Sequence, residues 1–337
     1  MTQSIDRDKY PSVTVIIPVY NGMFTLPKCL ESLGRQDYPR PLEVIVVDDG
    51  SSDGSGDYAE SNGCRVIRQR NQGPGVARNR GAEIAGGELL VFTDADCVLD
   101  SDFVTELVKP LMDEEVAGSQ GIFYSKQKNL VARFIQHETF ERIDKEVEAK
   151  YIDWVATYAA CYRRNVFLEN GGFNDTYSSE DAEFSFRLAE RGYKMVLAPE
   201  ARCEHLHYDD FFKFVRYKYK RAYWTVWLYR QYPNRLVKDP LTPKSRKSMM
   251  LFMVLSVLSL IAGIWWKWAV YIGLASAVIL LLSTLPSTIR ILKADIAVGL
   301  MTPLFLLTRT ASYICGFGKG LFDYFRGVKT VKKSAAK

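Results

Sequence analysis

The chain has 337 residues, enough for one large domain or two smaller ones. With 47% apolar and 25% charged residues it is neither disordered nor collagen-like. Its six cysteines are scattered without a CxxC pair, which argues against a disulfide scaffold and a structural zinc site. A net charge of +5 is too modest to imply nucleic acid, and the basic residues cluster beside hydrophobic segments instead.

The segment Met1–Tyr10 is polar and charged, so no signal peptide is expected and the soluble part is expected to stay in the cytoplasm. Val13–Pro18 is a short apolar run rich in β-branched residues and reads as a strand, with a turn at Asn21-Gly22. A helix is expected over Leu26–Gln36, a second strand over Leu42–Val47, and a loop over Asp48–Asp57. Cys64–Arg68 reads as a third strand, and Gly73-Pro74-Gly75 opens a helix with Pro well placed in its first turn. Leu89–Thr93 is continuously apolar and predicts a strand buried on both faces. Strands alternating with helices predict a mostly parallel sheet covered on both faces, with ligands at the carboxyl ends of its strands.

A mean hydropathy of −0.10 hides an asymmetry. Beyond Lys247 long uncharged runs take over: Met249–Trp266 and Trp268–Ile289 are each long enough to cross a bilayer. A third run begins near Ile296 and is interrupted by Arg309, which is costly at mid-span. The basic group Lys244, Arg246, Lys247 and the basic tail from Lys319 both point to the cytoplasmic side. Two spans plus a third, membrane-embedded segment satisfy both ends. Before them, Phe211–Arg235 interleaves aromatics with Lys and Arg and suggests an interfacial helix at anionic head groups, with part of it packing inward and no nucleic acid implied.

Three acidic groups stand where chemistry is expected. Asp48-Asp49 follows the second strand. Asp49, Ser51, Asp53, Gly54 and Glu60 also match positions 1, 3, 5, 6 and 12 of a calcium loop, but that loop needs a helix before it and here a strand precedes. A carboxylate at this strand end can instead accept hydrogen bonds from a nucleobase. Asp94 and Asp96 follow the fourth strand, and in extended backbone residues i and i+2 point the same way. Two such carboxylates beside a phosphate suit Mg2+ or Mn2+. Ser179-Glu180-Asp181 precedes an apparent helix: Ser178 or Ser179 reads as its N-cap, and Asp181 is either part of that cap or a general base.

These pieces in this order resemble glycosyltransferase family 2, enzymes with the GT-A fold. The matching stretches are Val15–Asn21, Val46–Asp53, Asn71–Gly81, Phe92–Cys97, Gly171–Phe173 and Glu180-Asp181, within about residues 10–230. The resemblance implies an α/β fold: a Rossmann-like, nucleotide-sugar-binding mixed sheet flanked by helices, followed by C-terminal transmembrane helices. It implies a GT-A domain over 1–210, an interfacial segment over 211–247, membrane helices over 248–318 and a basic cytoplasmic tail over 319–337. Asp49 would contact the base, with Pro18 and Tyr20 lining the same pocket. Arg78 would lie near the nucleotide and Asp94 by the ribose. Asp96 would hold the metal, and His205 matches a family position near the metal or diphosphate, with His207 as competitor. Asp181, in the Glu180-Asp181 pair, would be the catalytic base.

The activity this resemblance implies is an inverting transfer of one sugar from a nucleotide-sugar, UDP favoured over GDP, to a hydroxyl of a lipid-linked or cell-surface glycan precursor. Mg2+ or Mn2+ would be required. The enzyme would sit in the cell membrane with its catalytic domain cytoplasmic. Transfer to polyprenyl phosphate is a rival, although an anionic acceptor needs no base. Processive synthesis is another, but Lys218–Tyr223 lacks the Gln and the adjoining Trp of the processive Gln-x-x-Arg-Trp motif. A non-catalytic scaffold is the third, and it has no use for a base.

Overall fold

The computed structural model describes residues 9–174, 179–236 and 244–328. The chain forms two compact units: a sheet unit within residues 1–126 and 140–206, and a helical unit within 127–139 and 207–330. All six cysteines are free thiols.

In chain order the sheet unit contains β1 (Val13–Val19), α1 (Leu26–Leu33), β2 (Glu43–Asp48), α2 (Ser55–Ser61), β3 (Arg65–Arg68), α3 (Pro74–Ile84) and β4 (Leu89–Thr93). It continues with β5 (Val98–Leu99), α4 (Phe103–Val108) and β6 (Val116–Tyr124), then the later turns of α5 (Leu130–Val147). Next come β7 (Ala159–Arg163), α6 (Arg164–Glu169), α7 (Glu180–Glu190) and β8 (Lys194–Glu204). The eight strands form one sheet in the order β3-β2-β1-β4-β7-β6-β8-β5. The four strands expected from sequence are present, and β3, β2, β1 and β4 are parallel as anticipated. The other half departs from a mostly parallel sheet: β7 runs antiparallel to both β4 and β6, and β5 antiparallel to β8. The acidic loop after β2 is also shorter than expected, because α2 starts at Ser55 within it.

Burial explains the apolar runs. Val13, Val15, Ile17 and Val19 of β1 pack on one face with Leu26, Cys29 and Leu33 of α1. Ile16 turns to the other face and joins Ala77 and Ala82 of α3 with Phe92, Phe167 and Phe184. A strand covered on both sides cannot alternate with polar residues, and each such large side chain contributes about 1.5–3 kcal/mol. Gly81 fixes the approach of α3, since a Cβ there would sit 2.5 Å from Ile16 Cγ2.

The helical unit combines the start of α5 with α8 (Phe211–Gln231), α9 (Lys244–Ala262), α10 (Lys267–Leu282), α11 (Leu285–Ala294) and α12 (Ile296–Phe325). Asp210 caps α8 by accepting from Lys213 N at 2.7 Å, and Asp295 caps α12 by accepting from Val298 N at 3.1 Å, each worth about 1 kcal/mol. Three helical windows are long and apolar enough to cross a membrane: Ser245–Ala262, Lys267–Ala294 and Ile296–Phe325. They differ in how much lipid they could meet, being 11%, 28% and 50% buried within the protein. The helix α12 runs unbroken through Arg309, which is itself buried. It lies close to α8 because Gly316 and Gly320 present no side chain to the backbone oxygens of Tyr219 and Tyr223. Small residues four apart are a general device for close helix approach in membranes.

Candidate active site

The register of the sheet brings the acidic groups to one edge. Val19 of β1 pairs with Asp48 of β2, so Tyr20, Asn21 and Asp49 leave the sheet side by side. Leu99 pairs with Cys203 and Val98 with Glu204, and this antiparallel pairing, extended outward, sets Asp96 and Cys97 beside His205.

Asp49 is buried, and its carboxylate gathers the loop that leads into α3. Oδ1 accepts from Gln69 Nε2 at 2.6 Å and Gln72 N at 2.8 Å, and Oδ2 accepts from Gly73 N at 2.8 Å. A carboxylate offers about four acceptor positions, so room for one further donor remains. Gly50 makes the turn possible with φ of 84°, and a Cβ there would sit 3.1 Å from Asn71 N and 3.2 Å from Gln69 O. Pro18 is half-buried opposite Val47, and the Tyr20 ring is 53% exposed just beyond it.

Arg78, fully inside α3, links two acidic segments. Nη2 donates to Asp94 Oδ1 at 2.5 Å and Nη1 to Glu180 Oε1 at 3.1 Å. Burial works against its charge, but Asp94 and Glu180 outweigh burial and hold the guanidinium above its usual pKa. Asp181 also acts on this arginine electrostatically, while its Oδ1 accepts from Ala182 N at 2.8 Å in the first turn of α7. Of the two acidic residues at this helix start, Glu180 is therefore committed to Arg78. Of the two serines read as N-cap candidates, Ser179 occupies that position of α7, with no side-chain cap hydrogen bond among the described residues, and Ser178 lies outside them.

Asp96 and His205 approach to 3.5 Å between Oδ1 and Nε2. Burial raises the Asp96 pKa, His205 opposes this, and Asp94 adds to it. The His205 ring is held edge-on by Phe123 at 5.4 Å between centroids. His207 is elsewhere engaged, with Nε2 2.9 Å from Gln136 Oε1 within the helical unit. Asp96, Cys97 and His205 place one ligand atom each within 4.8 Å of one another. Burial pushes the Cys97 thiol well above its ordinary pKa. The Asp96 oxygen and the His205 imidazole nitrogen are a donor set that fits a divalent cation keeping its other positions for diphosphate or water.

Sequence reasoning named Arg78, Asp94, Glu180, Asp96 and His205, and the structure joins them as one triad and one pair. It missed Cys97 beside the cation position and Gln69 and Gln72 on Asp49. Cys97 was visible as the residue after Asp96, but only β5–β8 pairing shows what it faces.

The acidic edge lies at the carboxyl ends of parallel strands, where open α/β sheets bind their ligands. Residues 14–170 match the model of Glycosyl transferase family 2, and the sheet unit is a glycosyltransferase domain of that family. The chain is 39% identical over 109 residues to the "Putative glycosyltransferase EpsH" of Bacillus subtilis, covering 31% of each protein. It is 30% identical to "Glycosyltransferase AglE" of Haloferax volcanii, covering 56% of this chain and 64% of that one. The chain thus spans from about a third to just under two thirds of these relatives. Among solved structures, a mannosyltransferase from Pyrobaculum calidifontis in complex with GDP-Man and Mn2+ superposes with a TM-score of 0.62. That match covers 95% of this chain and 90% of the other at 23% identity, and it establishes the GT-A fold.

Proposed function

We propose that the chain is a membrane-bound, inverting glycosyltransferase that moves one sugar from a nucleotide-sugar to an acceptor hydroxyl. The observation that carries this is the pairing of Asp96 with His205 at 3.5 Å beside the Arg78–Asp94–Glu180 triad. Asp96 and His205 hold Mn2+ or Mg2+. When bound, the cation neutralises charge developing on the departing diphosphate. Asp49 accepts from the base through its remaining position, and the exposed Tyr20 ring and Pro18 line that pocket. Asp94, fixed by Arg78, faces the ribose. Glu180 positions Arg78. Asp181 takes the acceptor's proton as the hydroxyl attacks the anomeric carbon from the face opposite the leaving group, which inverts the configuration.

The anchor supports an acceptor in or on a membrane. Trp265, Trp266, Trp268 and Tyr271 are exposed at the turn between α9 and α10, the place for aromatic residues at a membrane–water interface. The basic groups around Lys244–Lys247 and at the chain's end support a cytoplasmic catalytic unit. We read α9 and α10 as full spans and the half-buried α12 as embedded. The acceptor reading is a lipid-linked or cell-surface glycan precursor. A UDP donor is favoured on the family resemblance, and the GDP-Man bound by the structural neighbour makes GDP-sugars the necessary comparison.

The test is donor turnover by detergent-purified protein across UDP- and GDP-sugars with Mn2+, Mg2+ or EDTA. One donor consumed, with loss in EDTA, Asp96→Ala and Asp181→Asn, supports the roles above. Activity on polyprenyl phosphate that survives Asp181→Asn removes the base assignment and installs the lipid-phosphate reading.

A further inference from the structure

Cys97 stands at the cation position, and the transfer chemistry gives it no role. Its side chain is fully buried, and its sulfur lies within 4.8 Å of a ligand atom of both Asp96 and His205. Sγ donates to Tyr158 O over a long 3.8 Å, whereas Thr93 Oγ1 donates to the same carbonyl at 3.0 Å. The thiol proton can leave without orphaning that buried acceptor. The rings of Phe123 and Tyr158, at 5.4 and 6.0 Å between centroids, flank the His205 imidazole on the same side of the sheet unit.

A carboxylate oxygen, an imidazole nitrogen and a sulfur around one point form a donor set of the zinc type. Thiolate and imidazole select Zn2+, whereas Mg2+ keeps to oxygen. Spacing agrees. Tetrahedral bonds of about 2.0–2.2 Å set oxygen and nitrogen ligands about 3.4 Å apart, whereas octahedral Mg2+ at about 2.0–2.1 Å needs about 3 Å. Asp96 Oδ1 and His205 Nε2 are 3.5 Å apart. Coordination also changes what is left for substrate. Two protein ligands leave an octahedral cation four positions, enough for two diphosphate oxygens. Three ligands leave a tetrahedral cation one.

We propose that Cys97 joins Asp96 and His205 in a site for a thiophilic divalent cation, Zn2+, which competes there with the Mn2+ or Mg2+ of transfer and holds the enzyme inactive. On binding, the cation takes the place of the thiol proton, which passes to solvent. The inference rests on Asp96 and His205 being the metal ligands, and it adds a regulatory metal to that assignment.

The full chain in detergent, stripped with chelator and without donor, is titrated with Co2+, Zn2+ and Mn2+. Co2+ serves as the optical probe, because only a thiolate ligand gives it a near-ultraviolet sulfur-to-metal charge-transfer band. The band is expected in the wild type, with Zn2+ removing it at one equivalent and binding about tenfold or more tighter than Mn2+. Cys97→Ser should abolish the band and weaken Zn2+ by about 100-fold, since even an outer-shell partner is worth about 10–100-fold. Mn2+ affinity should change far less in that variant and collapse in Asp96→Ala. A band absent from the wild type, or one that survives Cys97→Ser, overturns the proposal. With Mn2+ still bound and lost in Asp96→Ala, that failure leaves the assignment of Asp96 and His205 standing. Failure of every cation to bind overturns both. Should Cys97→Ser not fold, pulsed alkylation of the wild type decides. Zn2+ must protect Cys97 more than Cys29 and Cys203, whose sulfurs donate to Asp94 O and Ile122 O instead. Equal protection of the three refutes the site.

Discussion

At the sheet edge Asp94 and Glu180 are joined by one buried arginine, Arg78, with Asp96 and Asp181 in its field, whereas in the helical unit Lys218 and Arg309 are joined by one carboxylate, Glu138, with Arg246 at 4.0 Å. The two places are built with opposite signs, and in each one central ion ties residues from separate elements together. The central arginine and glutamate serve as struts between separate elements, whereas we propose the edge carboxylates Asp96 and Asp181 as the ones that face a ligand. Substitutions should separate those two roles.

The largest effects should come from the edge carboxylates that face the ligand. Asp181→Asn is expected to slow transfer by about 10²–10⁴-fold, the usual worth of a positioned base, and Asp96→Ala by about 10²–10³-fold, as when one electrostatic contact to the transition state is lost. Steady-state assays at saturating donor and Mn2+ measure both. Asp96→Ala should not lower the melting temperature appreciably, since burial already pushes that carboxyl above its usual pKa. A large loss of stability in Asp96→Ala would show that it holds the fold together as well.

Arg78→Gln should behave in the opposite way. Removing the cation leaves Glu180 buried and Asp94 half-buried without Arg78, and breaking a buried pair costs about 3–5 kcal/mol, the upper end being reserved for two fully buried partners. Denaturant unfolding of the full chain in detergent should show it as a shifted midpoint. An unfolding curve like the wild type's, with only activity lost, would move Arg78 from strut to ligand.

How much of this is legible in the sequence depends on the range of the interaction. Short signals suffice for β1 to β4, which are β-branched runs, for the start of α3 at Pro74, and for the acidic strand end marked by the spacing of Asp94 and Asp96. The choice between His205 and His207 is not legible, because it rests on β5–β8 register between residues about a hundred positions apart. Arg309 reads as an interruption of an apolar run because its partner, Glu138, lies 171 positions away. The basic-aromatic stripe of α8 reads as a membrane surface, yet Phe214, Lys218, Ala222 and Val226 are buried at four-residue spacing. Composition carries the chemistry of that stripe, and only tertiary pairing shows which face turns inward.

A smaller effect tests the frame that carries the edge. Gly81→Ala would set a Cβ against Ile16 Cγ2 on the middle of β1. Overpacking of this kind costs about 1–3 kcal/mol. The expected outcome is a lowered midpoint with Mn2+ affinity nearly unchanged. A large loss of Mn2+ affinity would mean that the register of α3 on β1 sets the geometry of Arg78 and Asp94 directly.

The last expected effect is a change of slope seen only in acid. Burial works to raise the Glu138 pKa, but Lys218, Arg309 and Arg246 overcome it and hold the carboxyl well below the usual range. A group whose folded pKa is depressed adds stability that is fully present above its unfolded value, about 4.3 for a glutamate, and is lost as pH falls through the folded value. Wild-type melting temperature should therefore fall below about pH 4.3 more steeply than that of Glu138→Gln, which has no proton to take up there. Asp295, lowered chiefly by its hydrogen bond from Arg133, titrates in both proteins and cancels in the difference. Equal acid slopes would mean that the three cations do not hold Glu138 ionised, and the ion cluster in the helical unit would lose its centre.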